Sequence, residues 1–411
     1  MLPSSVGTAR TQVQTFLSRK QCIRIVGAKK NAMDTTESRR RNRGLSLICL
    51  SIIIIILIAG LWPFEFRPKN NVSWINGENG IHFGRRGIAY SRESVFGPQG
   101  AIRPGRPISI ELVVLPARES KYSLMSILTF YGEGSRQFFT IAQWRSHLVL
   151  RSALQGNDLR SNFREMGAKD VLQKNILRFL TVTSRDGDTK IYIDGKLIKE
   201  TNNFHILPED SMASGKLVLG NSPTGKNQWT GELAFLSAYD SELSPDEAYL
   251  HFQDWIAHGI PGWSPRNTPS LLYLFDERAG VISRNQGEGR YDLLIPETFQ
   301  VLEKNILRPP WQEKFNRSFI RDDIVNIFGF LPFGFFFAMW LRNGDGLPSK
   351  SHFILIAMLG GSTSLTIELL QAYLPSRASS LTDVFCNIFG TILGIYIFRW
   401  IILSLSLEKR P

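Results

Sequence analysis

The chain has 411 residues, room for two or three domains, and a hydrophobic fraction of 43% that is ordinary for a globular protein. Its formal net charge of +12 is concentrated ahead of residue 44, so the excess reads as a membrane-topology signal and nucleic acid is set aside as a partner. Three cysteines, Cys22, Cys49 and Cys386, fall in the basic tail and in two apolar runs, which excludes a disulfide framework or zinc cluster and leaves no metal expected.

Residues 1–44 set Arg10, Arg19, Lys20, Arg24, Lys29, Lys30 and the run Arg39-Arg40-Arg41 against Asp34 and Glu37 alone. They show no clear periodicity and read as a disordered cytoplasmic tail. Met33 opens MDTTESRRRNRG directly before the membrane run, so translation starting at Met1 or at Met33 fits equally. The run LSLICLSIIIIILIAGLWPF (45–64) is long enough, at about 1.5 Å per residue, to span a bilayer core of about 30 Å. It is longer than the apolar part of a cleaved signal peptide and lacks a small-residue cleavage site, so 45–66 is read as a retained first transmembrane helix.

Residues 68–258 alternate short β-rich runs with turn residues. ISIELVVLP (108–116), SLMSILTFYG (123–132), QFFTIAQW (137–144), SHLVLRS (146–152), RFLTVTSRDGDTKIYIDGKLIKE (178–200), GKLVLG (215–220) and GELAFLSAYD (231–240) fit strands of an antiparallel sandwich. Asp186-Gly187 and Asp194-Gly195 are hairpin signals, because tight primed turns need positive φ. Ser244 and Glu247 have capping-box spacing.

The hairpin FLTVTSRDGDTKIYIDGKL followed by WTGELAFLSAYDSELSPDEAYLHF resembles the concanavalin A-like, laminin-G-like jelly rolls. That resemblance implies a glycan-binding type of domain. Calcium, which many members hold, finds no supporting ligand set: Asp186, Asp188 and Asp194 read as turn formers, and no cofactor is expected. Trp144 and Trp229 fit either sugar stacking or a buried core.

Residues 259–318 read as an annex or linker back to the membrane, although SLLYLFDERAG and RYDLLIPETF could instead add strands to the sandwich. NILRPPWQEKFNRS looks like an interfacial approach, with Trp311 at headgroup level. Within 319–405 lie three apolar runs, Ile324 to Leu341, Phe353 to Leu370 and Val384 to about Leu405. With the anchor they make about four crossings and place the Arg342-to-Lys350 loop and both termini in the cytoplasm. The fold class is therefore mixed: an α-helical transmembrane bundle plus an extracytoplasmic antiparallel β-sandwich.

This topology brings polar residues to one membrane face. Asp322 and Asn326 are spaced i,i+4; Ser364, Glu368 and Gln371 i,i+4,i+7; Asp383, Asn387, Gly390 and Gly394 i,i+4,i+7,i+11, with Arg377 in the loop between the last two helices. Polar stripes at membrane depth face a bundle interior or a wet cavity. Gly390 and Gly394 invite close helix approach, and Pro332 frees a carbonyl for a partner.

DDIVNIFGFLPFG together with IELLQAYLPSRASSLTDVFCNIFGTILG resembles the VanZ-like family of integral membrane proteins over about residues 320–400, the anchor ending WPFEF supplying the family's first helix. The sandwich is then an insertion after that helix. The resemblance implies a bacterial inner-membrane protein with a part in resistance to a surface-acting antibiotic. It makes Asp323, Asn326, Glu368, Gln371, Arg377, Asp383 and Asn387 the ligand-binding set, with Asp322 the alternative to Asp323. The expected function is recognition of a lipid- or glycan-linked envelope component, with membrane lipid as a further partner. An enzyme using Glu368 and Asp383 as acid and base, Arg377 neutralising a substrate phosphate or carboxylate, is the alternative; no Walker loop or nucleophile elbow supports it. A third reading makes the sandwich an anchored adhesive scaffold and the polar set packing glue.

Overall fold

Two Asp-Gly pairs turn the chain as their chemistry requires. Asp186 and Gly187 take φ of 51° and 85°, and Asp194 and Gly195 take 51° and 75°, the paired left-handed conformation of a type I′ turn. They join β9 (Arg178–Arg185), β10 (Asp188–Ile193) and β11 (Lys196–Thr201) into consecutive antiparallel hairpins. In this computed structural model the described residues are 42–133, 136–153, 163–207, 214–262, 267–313, 317–342 and 346–408. The basic tail, with Met33, lies outside them.

The chain divides into two units, Glu65–Lys304 and a second made of Met1–Phe64 with Asn305–Pro411. In the first, β1 (Val72–Trp74), β2 (Ile81–Phe83), β13 (Gly231–Tyr239), β4 (Ile108–Pro116) and the β9–β11 hairpins form one sheet, with β14 (Leu271–Tyr273) paired to β13. The other sheet runs in the order β15 (Ile282–Ser283), β16 (Leu293–Leu294), β3 (Ala89–Ser91), β12 (Lys216–Leu219), β5 (Met125–Tyr131), β6 (Gln137–Trp144), β7 (His147–Ala153), β8 (Phe163–Ala168). All pairings between these strands are antiparallel. The segment 267–304 thus supplies β14, β15 and β16 to the two sheets.

Between the sheets lie Ile110, Leu112 and Val114 of β4, Leu128 and Phe130 of β5, and Phe139 and Ile141 of β6. Trp229 is fully buried in this core, its Nε1 donating to Gln143 Oε1 at 2.9 Å, whereas Trp144 keeps 38% exposure at the edge. Strand β4 is buried on both faces because α2 (Pro245–His258) covers the outside of its sheet. Val113, Phe179, Phe235 and Leu272 point that way, against Phe252 and Trp255 of the helix. Ser244 and Glu247 make the capping box in full, and Gly259 closes the helix in the left-handed conformation at φ 71°.

The second unit holds α1 (Asn42–Leu61), α3 (Arg317–Trp340), α4 (Lys350–Gln371) and α5 (Leu381–Glu408). All four are long and apolar enough to cross a membrane. Helix α3 continues through Pro332. Gly390 and Gly394 of α5 lie against the backbone of Ile327 and Leu331 in α3, and Gly334 of α3 lies against Thr391. Any side chain at these positions would collide with main chain, so the glycines set the closeness of α3 and α5.

Candidate functional site

The polar positions of α3, α4 and α5 meet at one end of the bundle, where α1 and α4 finish and α3 and α5 begin. The N-terminus of α5 organises it. Glu368 is 2% exposed, and its Oε2 accepts the backbone N–H of Ser380 at 2.7 Å. Ser380 Oγ donates to Glu313 Oε1 at 2.6 Å and accepts from Asp383 N at 3.4 Å, the geometry of a helix cap. Two carboxylates, Glu368 and Glu313, therefore accept from one serine at a helix N-terminus, where the macrodipole favours negative charge, and Asp383 contributes its backbone N–H to the same serine. Asn326 hydrogen-bonds Asp383 from α3, and Asp323 lies beside Cys386 with its Oδ1 buried and lacking a partner.

The remaining residues of the sequence-derived set act as clamps. Gln371 Nε2 donates to Gly60 O at 2.8 Å. The Arg377 guanidinium donates to Trp62 O at 3.1 and 3.2 Å and to Ala59 O at 3.4 Å, capping the last carbonyls of α1. These hydrogen bonds of Arg377 all go to main chain, while its charge still acts on the Glu368 carboxyl. Asn387 sits one turn deeper, donating to Ser364 Oγ at 2.8 Å across α4 and α5, with its Oδ1 unpartnered.

Glu313 is the member that sequence reasoning missed. It follows a short 3-10 turn, Pro310–Gln312, outside every periodic run. It reaches the site because residues 307–308 pair with the α4–α5 loop: Arg308 N donates to Ser379 O at 3.0 Å and Leu381 N to Arg308 O at 2.9 Å. Its acidity beside an interfacial tryptophan is the one cue the sequence holds. Among the described residues, no three His, Cys, Asp or Glu side chains group as a metal-ligand set.

Four helices of membrane-crossing length, with an antiparallel β-sandwich inserted after the first, define a multi-pass membrane protein that carries a jelly-roll domain. Residues 270–403 match the VanZ/LLP1 family, and residues 101–248 match the concanavalin A-like lectin/glucanases superfamily. The chain thus combines a VanZ/LLP1 domain with a laminin-G-type concanavalin A-like domain. The VanZ/LLP1 match begins at the edge of β14, so it takes in the chain from the last sandwich strands to α5.

Several solved structures are similar in part. A SAP-like pentraxin from Limulus polyphemus shares 12% identity at a TM-score of 0.31, over 45% of this chain and 78% of its own. A candidate carbohydrate binding protein from Bacteroides ovatus shares 11% at 0.36, over 57% and 62%. The binding domain of botulinum neurotoxin DC, solved with rat synaptotagmin II, shares 16% at 0.29, and the match spans 36% of each chain. No curated protein matches the chain.

Proposed function

We propose that this is a bacterial inner-membrane protein whose polar bundle end faces the outside and recognises a lipid- or glycan-linked envelope component, while the sandwich holds a glycan of the same layer. The observation that carries the reading is a surplus of acceptors. Glu313, Asp323, Glu368 and Asp383 gather at one helix end, while the hydrogen bonds of Arg377 go to the α1 carbonyls. Buried acceptors left unpaired, as at Asp323 Oδ1 and Asn387 Oδ1, are costly unless something supplies donors. Sugar hydroxyls, amide N–H groups or an ammonium headgroup would do so. The orientation follows from the arginine-rich tail before α1 and the Arg342-to-Lys350 loop, both of which favour the cytoplasm. A contribution to withstanding a surface-acting antibiotic would then come from binding the envelope component the drug needs.

Catalysis by Glu368 and Asp383 as acid and base is the second reading, favoured by the two carboxyl groups lying within electrostatic reach of each other. Mass spectrometry of lipids and glycans that co-purify with the full chain tests the proposal. Wild type should enrich one envelope component, and Glu368→Gln with Asp383→Asn should reduce it about tenfold or more, the effect of losing charge-assisted hydrogen bonds. Equal recovery from both would leave the polar end as packing glue. Recovery of a chemically altered component from wild type alone would favour the enzyme.

A further inference from the structure

The sandwich unit contains a pocket of about 390 Å³ at its rim, where strand ends of both sheets meet. Its wall comes from Ala101 and Arg103 ahead of β4, Asp240 after β13, Asn267 ahead of β14, and Glu288 and Tyr291 ahead of β16. Half of this wall is built by the segment after α2.

The polar groups are held in place by a supporting layer. Asp240 keeps only 14% side-chain exposure; its Oδ1 accepts from Arg103 N at 3.2 Å, and its Oδ2 pairs with Arg103 Nε at 3.2 Å and Arg106 Nη1 at 4.0 Å. Asn267 accepts from Ser241 Oγ at 2.6 Å and donates to Glu247 Oε1 at 2.8 Å, which ties it to the capping box of α2. Tyr291 OH donates to Gln99 O at 3.0 Å, fixing the ring at the pocket wall. Groups fixed in this way bind without the entropy cost of ordering them.

The pocket sets carboxylate acceptors beside guanidinium and amide donors, with an aromatic ring alongside. Adjacent sugar hydroxyls, each both donor and acceptor, satisfy such a mixed set, and a tyrosine ring takes the apolar C–H face. Arg103 is already paired to Asp240 and Glu288 shares the wall, so among the lining residues an anionic sugar meets a carboxylate and no unpaired cation. We propose that this pocket binds a neutral hexose or N-acetylhexosamine residue of a glycan. The proposal rests on the glycan-holding reading of the sandwich and is independent of the polar bundle end.

Saturation-transfer NMR on the full chain in lipid nanodiscs, with N-acetylglucosamine, galactose, mannose and galacturonic acid as probes, tests it. At least one neutral sugar should bind, and galacturonic acid should bind about tenfold more weakly or worse. Ala101→Trp, which fills the pocket and leaves its polar groups in place, and Asp240→Asn should each cut binding by about tenfold or more. If Asp240→Asn fails to fold, Ala101→Trp decides. Undiminished binding by Ala101→Trp overturns the pocket and leaves the sandwich a glycan binder elsewhere. Silence from every neutral sugar overturns the pocket and the sandwich's glycan role together, while co-purification at the bundle end stands or falls separately.

Discussion

Glu111 is a buried charge of the sandwich with four side-chain partners. With no exposure, it accepts from Thr181 Oγ1 at 3.1 Å, Ser237 Oγ at 3.3 Å and Tyr239 OH at 2.9 Å, and pairs with His251 Nδ1 of α2 at 3.0 Å. Burial works to lower the His251 pKa, but the hydrogen bond and charge of Glu111, with Glu247 and Asp254 nearby, leave it above the usual histidine value. A histidine pKa raised on folding adds stability that is complete below the unfolded value of about 6.5 and is lost as pH rises through the folded one. The melting midpoint should therefore fall as pH rises above about 6.5, and His251→Gln should flatten that slope. An unchanged slope in the variant would show that the pair holds α2 by packing alone. Removing the other partner, as in Glu111→Ala, should cost about 3 kcal/mol or more, because the histidine and three hydroxyls lose their acceptor.

At the scale of elements, β14–β16 decide where the sandwich ends. Leu271, Tyr273, Phe275 and Leu293 are almost fully buried in its core, and burying each contributes about 1.5–3 kcal/mol. Their sum rivals a typical domain's whole stability of about 5–15 kcal/mol. A chain of residues 65–304 should accordingly melt cooperatively as β-structure by circular dichroism, and one ending at residue 260 should not. Equal melts would make the segment a removable annex. Much of this level is legible in sequence, for physical reasons. Asp186-Gly187 and Asp194-Gly195 require positive φ and so mark their hairpins, and the polar stripes of α4 and α5 follow from i,i+4 spacing. Three-residue strands such as β1, β2 and β3 are too short for a period to register, and β8, reading FREMGA, has no β-branched residue. β14 and β16 fall in SLLYLFDERAG and RYDLLIPETF, where the sequence leaves added strands and a linker both open, because the long-range pairing that decides between them is not a local pattern. The same holds for Glu313, brought in by the pairing of Arg308 with Ser379 and Leu381, and for Arg377, whose partners are main-chain carbonyls more than 300 positions away.

For the whole molecule, the polar end of the bundle is proposed as a recognition site facing away from the cytoplasm. Ser376 lies exposed beside that end, and Lys350 lies exposed at the start of α4, the opposite end of the same helix. A photo-crosslinking amino acid placed at either position in the full chain and irradiated in intact cells reads both sidedness and occupancy at once. Position 376 should yield an adduct with the mass of a lipid or glycan envelope component, lost when Glu368→Gln is added, while position 350 should yield none. Adducts of the same kind from both positions, or an adduct at 376 that is indifferent to Glu368→Gln, would contradict the account.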